Sequence, residues 1–415
     1  VSAPPAAAIA IRSRRAARAL GALDRPAKDA ALAAIAVAIG DHAEKILTAN
    51  ALDVEQARKA GTAASLVDRL TLTPERIAAL AAAVRDVAAL PDPCGAVVGG
   101  GRFGNGLEMT RVRVPIGRVL VVYEARPNVT VDVAALCLKS GNVALLRGSS
   151  SARATNAALL VAIRSGLTAA GIEADAVIAV DLSHAELARF VADPANADVV
   201  VPRGGEALKD FLLEHSRIPV LAAAGGNCHV YVDAHADPAM ATAIIVNAKT
   251  QRPGVCNAAE TLLVHAAAIG ALPHLIDALL AAGVEIRGCE RTVAACPSAL
   301  PATDADYATE FLDLVLAVRV VDSLEDAIDH IATHSTGHSE AIVTDSVAAA
   351  DRFIAGVDSA CVYVNASTRF TDGGEYGMGA EIGNATGRLH VRGPIGLADL
   401  TTTKYVVRGS GQVRT

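Results

Sequence analysis

The sequence predicts an α/β protein built on doubly wound parallel sheets, and three observations carry that expectation. Short apolar runs alternate with helical stretches from Val119 onward, a second run of the same kind extends from Met240 to Asn365, and a helical preface precedes both. In the preface, Pro26 to Leu90, residues Ala30, Ala33, Ile35 and Ile39 fall near helical spacing. Thr73-Pro74-Glu75 there supplies an N-cap, a first-turn proline and an early acid. After Pro91-Asp92-Pro93 comes a Gly-rich loop, then a segment from Arg102 to Gly117. Its alternation of Met109, Arg111 and Arg113 with Thr110, Val112 and Val114 reads as a hairpin or edge strand.

The first α/β series is expected as strands Val119 to Tyr123 and Asn142 to Leu146, a helix from about Ala152 to Ala170 ended by Gly171, and a strand Ala176 to Val180. It continues with a helix near His184 to Ala192, a strand Asp198 to Val201, a helix near Glu206 to His215 and a strand Pro219 to Ala222. Strand, helix, strand in repetition requires parallel pairing, and such sheets bind ligands at the carboxyl ends of their strands. The second series is expected as a helix near Met240 to Lys249, a strand Ala259 to Val264, a helix Ile269 to Ala281 and further pairs to Asn365. The Gly-rich tail from Thr368 closes with a β-like stretch, Thr403 to Val407.

With 415 residues, 52% hydrophobic and 20% charged, the chain is long enough for two or three domains. Arg85 and Asp86 break the Ala-rich run from Ile77 to Leu90, and no stretch reaches the roughly 20 clean apolar residues of a bilayer span, so no membrane segment is expected. A net charge of −7 with no basic block beyond Arg12 to Arg18 excludes the electrostatic footprint of a nucleic-acid binder. The first 23 residues carry Arg12, Arg14, Arg15 and Arg18 and no acid, as a transit peptide does, but run smoothly into an amphipathic helical pattern; the cytosol is the expected compartment. The seven cysteines are odd in number, scattered and without a C-x-x-C pair, which argues for reduced thiols rather than a disulfide framework or a zinc site.

One cysteine stands apart. Gln251-Arg252-Pro253-Gly254-Val255-Cys256-Asn257-Ala258 places Cys256 in a turn between a helix and an apolar strand. Backbone N–H groups there can stabilise a thiolate and an oxyanion, Arg252 adds positive charge and Gly254 admits a flat ring. On spacing alone a buried structural cysteine explains the position equally well. Gly204-Gly205, between the strand ending at Val201 and a helix, forms a candidate anion site. His330, His334 and His338 recur every four residues, but Ser335, Thr336 and Gly337 should end the helix before His338 and no paired carboxylate completes a site, so no metal is expected.

Several longer motifs lie in register. They are Tyr123-Glu124-Ala125-Arg126-Pro127-Asn128-Val129-Thr130-Val131-Asp132, Leu136-Cys137-Leu138-Lys139-Ser140-Gly141-Asn142, Gly226-Asn227-Cys228-His229-Val230-Tyr231-Val232-Asp233, the Cys256 turn, and Gly377-Met378-Gly379-Ala380-Glu381-Ile382-Gly383 with Leu389-His390-Val391-Arg392-Gly393-Pro394. From about Pro26 to Lys404 these resemble, in family order, the gamma-glutamyl phosphate reductases, also called glutamate 5-semialdehyde dehydrogenases, of the aldehyde dehydrogenase superfamily.

The resemblance implies an aldehyde dehydrogenase-like fold and a set of roles. Cys256 matches the nucleophile, and Asn128, otherwise a turn residue after Pro127, matches the amide that stabilises the oxyanion together with the Cys256 N–H. Gly204 and Gly205 match the seat of the cofactor diphosphate. Arg147, otherwise a solvated strand-end charge, lies where the superfamily often has a lysine near the adenosine ribose, and so would hold the 2′-phosphate of NADPH. Glu310, otherwise an ordinary surface acid, matches the residue that binds the nicotinamide ribose. Arg252, Arg369, His390 and Arg392 are candidate contacts for the substrate carboxylate or phosphate. The chain departs from the family at Ser149-Ser150-Ser151, where Gly-Lys is frequent: a cation is missing, while a hydroxyl-rich helix N-terminus with Ser149 at its head remains to bind phosphate. Hydrolytic members of the superfamily carry a water-activating Glu in a Glu-Leu-Gly-Gly pattern; here the run is Ala222-Ala223-Ala224-Gly225-Gly226, which leaves water a poor acceptor and makes phosphate the reasonable one.

The resemblance therefore implies NADPH-dependent reduction of L-glutamyl 5-phosphate, through a Cys256 thioester, to L-glutamate 5-semialdehyde and phosphate, the second step of proline biosynthesis from glutamate. It implies a cofactor domain of residues 1–101, 117–225 and about 366–400, a catalytic domain of 226–365, and a β oligomerisation element of 102–116 and 401–415. A homo-oligomer is expected, and the glutamate kinase that makes the labile acyl phosphate is a candidate partner. The rival readings are a hydrolytic, NAD-linked aldehyde dehydrogenase and a non-catalytic scaffold for that kinase. Intact Cys256 and Asn128 speak against the scaffold.

Overall fold

The structure, a computed structural model, describes residues 5–222 and 225–414, without the side chains of Pro5 and Ser65. It divides into two compact units, one of Val1–Leu221, Gly377–Gly383 and Ile395–Thr415, the other of Ala222–Tyr376 and Asn384–Pro394.

The first unit holds strands β1 (Val97–Arg102), β2 (Glu108–Pro115), β3 (Arg118–Tyr123), β4 (Val143–Gly148), β5 (Val177–Ala179) and β6 (Val199–Arg203). The last four form a wholly parallel sheet in the order β5-β4-β3-β6. Every residue of β3 is buried, as a strand covered on both faces requires. The order reverses between β3 and β6, so a crevice opens at their carboxyl ends, beside Glu124 and Gly204.

Between β3 and β4 lies the helix Pro127–Lys139, which the sequence pattern does not announce. Conversely, the strand expected from Pro219 to Ala222 is reduced to a single bridge, Val200 to Val220; Pro219 has no N–H to continue a ladder. The stretch read as a Gly-rich loop is in fact β1, paired antiparallel with β2, and the strand Thr401–Arg408 pairs with the other side of β2. The β element therefore begins at Val97, not at residue 102.

The helical preface is fastened to this sheet by polar contacts. Asp53, 4% exposed in the helix Ala43–Lys59, accepts from the Ala154 N–H (3.3 Å), the Thr155 N–H (2.8 Å) and the Thr155 hydroxyl (2.6 Å). It thus caps the start of the helix Arg153–Ala169 with a buried carboxylate. Arg12, in the helix Pro5–Leu20, donates to Asp175 at 2.9 Å, so the Arg-rich segment is docked onto the same unit.

The second unit contains β7 (Cys228–Val232), β8 (Ala259–His265), β9 (Glu285–Gly288), β10 (Leu300–Pro301), β11 (Val315–Val321), β12 (Ser339–Val343) and β13 (Cys361–Val364). They form one parallel sheet in the order β10-β9-β11-β8-β7-β12-β13 over a core that includes Val230, Ile245, Leu262 and Val318. Residues 366–376 and 384–394, expected together with residues 1–101 and 117–225, fall in this unit instead. Asn257 donates to the carbonyls of Arg369 (3.3 Å) and Thr371 (3.0 Å), and Thr368 donates to the Asn257 carbonyl (2.7 Å), which binds the returning chain to the Cys256 turn. Among the described residues no helix is long and apolar enough to cross a membrane.

Replacing Asp53 with Ala removes a cap and strands a buried N–H. A loss of about 2 kcal/mol is expected, read as a lower denaturant midpoint in urea; an unchanged midpoint would remove Asp53 from the fastening of preface to sheet.

Candidate active site

In the second unit the turn bearing Cys256 links the helix Pro238–Thr250 to β8 and so stands at the amino ends of the strands, not at the carboxyl ends expected of such a sheet. Cys256 is half-buried. Its backbone lies against Gly226, just before β7: a Cβ on Gly226 would fall 1.5 Å from the Cys256 carbonyl oxygen, so only glycine fits. The buried Cys228 thiol donates to the same carbonyl (3.2 Å), and burial pushes that thiol well above its ordinary pKa, which keeps it a donor. The Gly226 N–H donates to the Glu310 carboxylate (2.6 Å), fixing the acid beside the turn.

A buried ion pair braces the turn from below. Lys249, at the end of the preceding helix, donates to Glu260 in β8 at 2.5 Å, and both side chains are fully buried. Burial lowers the lysine and raises the glutamic acid, and each opposes the other's shift. The second Glu260 oxygen accepts the Leu312 N–H (3.3 Å), joining the Glu310 segment to the strand that follows Cys256.

Arg369 is placed at this turn. Its Nε donates to Gln251 (2.9 Å) and its guanidinium also bonds Asn257. Burial and the neighbouring Arg252 pull it below its usual pKa, against the attraction of the Cys256 sulfur and Asp372. Arg369 thus lies within electrostatic reach of both Arg252 and the Cys256 sulfur, a concentration of positive charge that suits an anionic ligand. Arg392 is engaged elsewhere: it bonds the Asp358 carboxylate and donates to the Asp358 carbonyl at 2.7 Å. His390 is exposed.

His330 and His334 do share a helical face, with ring centroids 4.5 Å apart, and His229 and Tyr307 lie edge-on to His330 at 5.5 and 5.2 Å. Burial, then His229 and His334, lower His330 to about 2, so it stays neutral. The helix ends at His334, ahead of His338. Among the described residues no group of three or more His, Cys, Asp or Glu could hold a metal ion.

In the first unit, Asn128 sits in the first turn of the helix Pro127–Lys139 and is exposed. Its amide donates one hydrogen to Asp132, one helical turn on, at 3.0 Å and keeps a second for another acceptor. Burial raises the Asp132 carboxyl to about 6, and the Asn128 bond opposes the rise. Gly204 and Gly205 follow β6 as expected, and the Gly205 N–H donates to the exposed carboxylate of Glu124 (3.1 Å). Arg147 is half-buried at the end of β4, where burial lowers its pKa. Ser149 opens a short 3₁₀ turn and accepts from the Ser151 N–H (3.3 Å). Ala223 and Ala224, central to the run that replaces the water-activating Glu, lie outside the described residues.

Sequence reading misses Gly226, Cys228 and Asp132 as parts of the site. Gly226 and Cys228 stood within a quoted motif without a role, and the signal of Asp132, its spacing of four from Asn128, needs the helix to be known.

A parallel sheet with a diphosphate-type glycine turn, together with a cysteine turn braced at the amino edge of a second parallel sheet, is the build of an aldehyde dehydrogenase. The profile described as the aldehyde dehydrogenase family matches residues 3–285, and the chain belongs to that family. Similar proteins include the gamma-glutamyl phosphate reductase of Thermobifida fusca, 54% identical over 98% of both chains, and that of Moorella thermoacetica, 52% identical over 97% of both. The crystal structure of gamma-glutamyl phosphate reductase from Thermotoga maritima, 44% identical, superposes with a TM-score of 0.97 over 99% of this chain and 100% of that one. Within the family, the chain belongs with the gamma-glutamyl phosphate reductases.

Gly226→Ala should displace the Cys256 turn, with turnover falling by ~100-fold or more. Steady-state rates together with the alkylation rate of Cys256 by iodoacetamide check it, and wild-type values of both would show that the close approach is dispensable.

Proposed function

We propose that this chain reduces L-glutamyl 5-phosphate to L-glutamate 5-semialdehyde and phosphate, the second step of proline biosynthesis from glutamate, with Cys256 as nucleophile. The observation that carries the reading is the Cys256 turn, held against Gly226 and flanked by Arg252 and Arg369. The Cys256 thiolate attacks the acyl carbon, and the oxyanion is held by the Asn128 amide and the Cys256 backbone N–H. Phosphate leaves, and the acyl group remains on Cys256 as a thioester. A nicotinamide cofactor supplies the hydride when bound, NADPH being the form proposed. Collapse then returns the thiolate and frees the aldehyde. Alanines in place of the water-activating Glu keep hydrolysis from intercepting the thioester.

Arg147, Ser149, Gly204 and Gly205 of the first unit and Glu310 of the second are the residues that would hold the cofactor. Their fit is supported at one point by a stand-in: the Gly205 amide donates to a carboxylate, so this turn suits an anion such as a diphosphate. Arg252 and Arg369 would take the substrate's carboxylate or phosphate, with His390 and Arg392 as further candidates. Thiolate chemistry needs a reducing compartment, which favours the cytoplasm.

The antiparallel sheet supports assembly into a homo-oligomer, since β1 is exposed along its whole length and Tyr405 and Val407 stand 62% and 53% exposed on the opposite edge strand. Sedimentation should give a multiple of 42.2 kDa, and the pair Tyr405→Glu with Val407→Glu should shift it toward the monomer; a monomeric wild type would remove this role.

Incubated with glutamate 5-semialdehyde, purified protein should reduce NADP⁺ only when inorganic phosphate is present. Cys256→Ser should abolish turnover while keeping the fold, and Asn128→Ala should lower kcat by ~10²- to 10³-fold. Turnover without phosphate would point instead to the hydrolytic rival, and turnover by Cys256→Ser would sink the thioester route.

A further inference from the structure

At the carboxyl ends of β3 and β4 the first unit contains a cavity of about 690 Å³, within the size range of small-ligand sites. Ser149, Ser150 and Ser151 form one wall, and Leu66 and Ala57 offer apolar surface for a flat ring. Arg69, from the helix Ala64–Leu70, projects a guanidinium into the same walls.

The charges of this cavity are unevenly committed. Asp53 is spent on the N–H groups of Ala154 and Thr155, so the helix behind the serines has no amide there for a phosphate. Glu124 is held by the Gly205 amide. Arg126, the N-cap residue of the helix Pro127–Lys139, makes no capping bond with its side chain but is not without a partner. Arg153, beyond the serines, pairs with Asp181 at 3.0 Å, and Arg147 is not among the lining residues. Arg69 is exposed and, among the described residues, has no hydrogen bond or ion pair. Three hydroxyls thus share a ligand-sized space with the Arg69 guanidinium, while the two acids of its lining, Asp53 and Glu124, accept from backbone amides. That donor set suits a phosphate monoester carried on a ring, not a neutral ribose hydroxyl.

We infer that this cavity seats the adenosine 2′-phosphate of NADPH and that Arg69 is the cation that reads it, supplying from the helical preface the charge missing after β4. The assignment rests on the cofactor reading proposed above. Ser149–Ser151 orient the phosphate, and the apolar wall receives the adenine.

Binding, not turnover, tests it. NADPH and NADH are titrated by nucleotide fluorescence into wild type, Arg69→Ala and Arg69→Lys, with 2′,5′-ADP as competitor. Arg69→Ala should weaken NADPH and 2′,5′-ADP roughly 10- to 100-fold and leave NADH unchanged, with Arg69→Lys restoring part of the loss. If Arg69→Ala keeps the preference for NADPH, or loses both cofactors equally, the assignment to Arg69 falls while the cofactor reading stands. If wild type itself does not prefer NADPH, both fall.

Discussion

The contact on which the second unit's site depends is backbone against backbone, Gly226 on Cys256. With no room for a Cβ, the chain entering β7 and the chain entering β8 are locked at the separation the sheet imposes. The remaining contacts are built around that fixed point. The Cys228 thiol and the Glu310 carboxylate each bond a peptide group of the pair, and the buried Lys249–Glu260 ion pair closes the loop beneath. A buried pair of this kind gives little net stability, but removing one partner would leave an uncompensated charge, so it serves to hold one geometry rather than many.

The two parallel sheets use opposite edges. In the first unit, the glycine turn and the serine cavity follow the strands, where switch-point geometry opens a crevice. In the second, Cys256, Gly226 and Glu310 precede the strands they serve. A thiol at an amino edge follows a helix C-terminus and gains nothing from a helix dipole there, so the positive charge near Cys256 comes from a side chain, Arg369.

Much of this was legible in the sequence, because strands such as β3 and helices such as Glu206–His215 are bounded by glycine, proline and capping residues. The helix Pro127–Lys139 was not. Val129, Thr130, Val131 and Val133 are β-branched, and burial on nearly every side erases the polar face that periodicity relies on. β1 was hidden for the opposite reason: three consecutive glycines have low strand propensity, and only the ladder to β2 makes them a strand. Motif resemblance pointed to Cys256, Glu310 and Arg369 as candidates. It could not show that Arg369 is held by Gln251 and Asn257, since those contacts join segments more than a hundred residues apart.

The carboxylate of Glu124 on the Gly205 amide has a consequence for selectivity. Because it is tethered, it competes with dissolved anions at an effective concentration of about millimolar or above. Inorganic phosphate or sulfate, offering that single amide no more than Glu124 does, is turned away by a resident competitor. A larger anion displaces it only by making contacts that this one amide cannot give. Asp53, buried and triply bonded, cannot be displaced in this way, so of two carboxylates at helix starts one is a permanent plug and the other a revolving door.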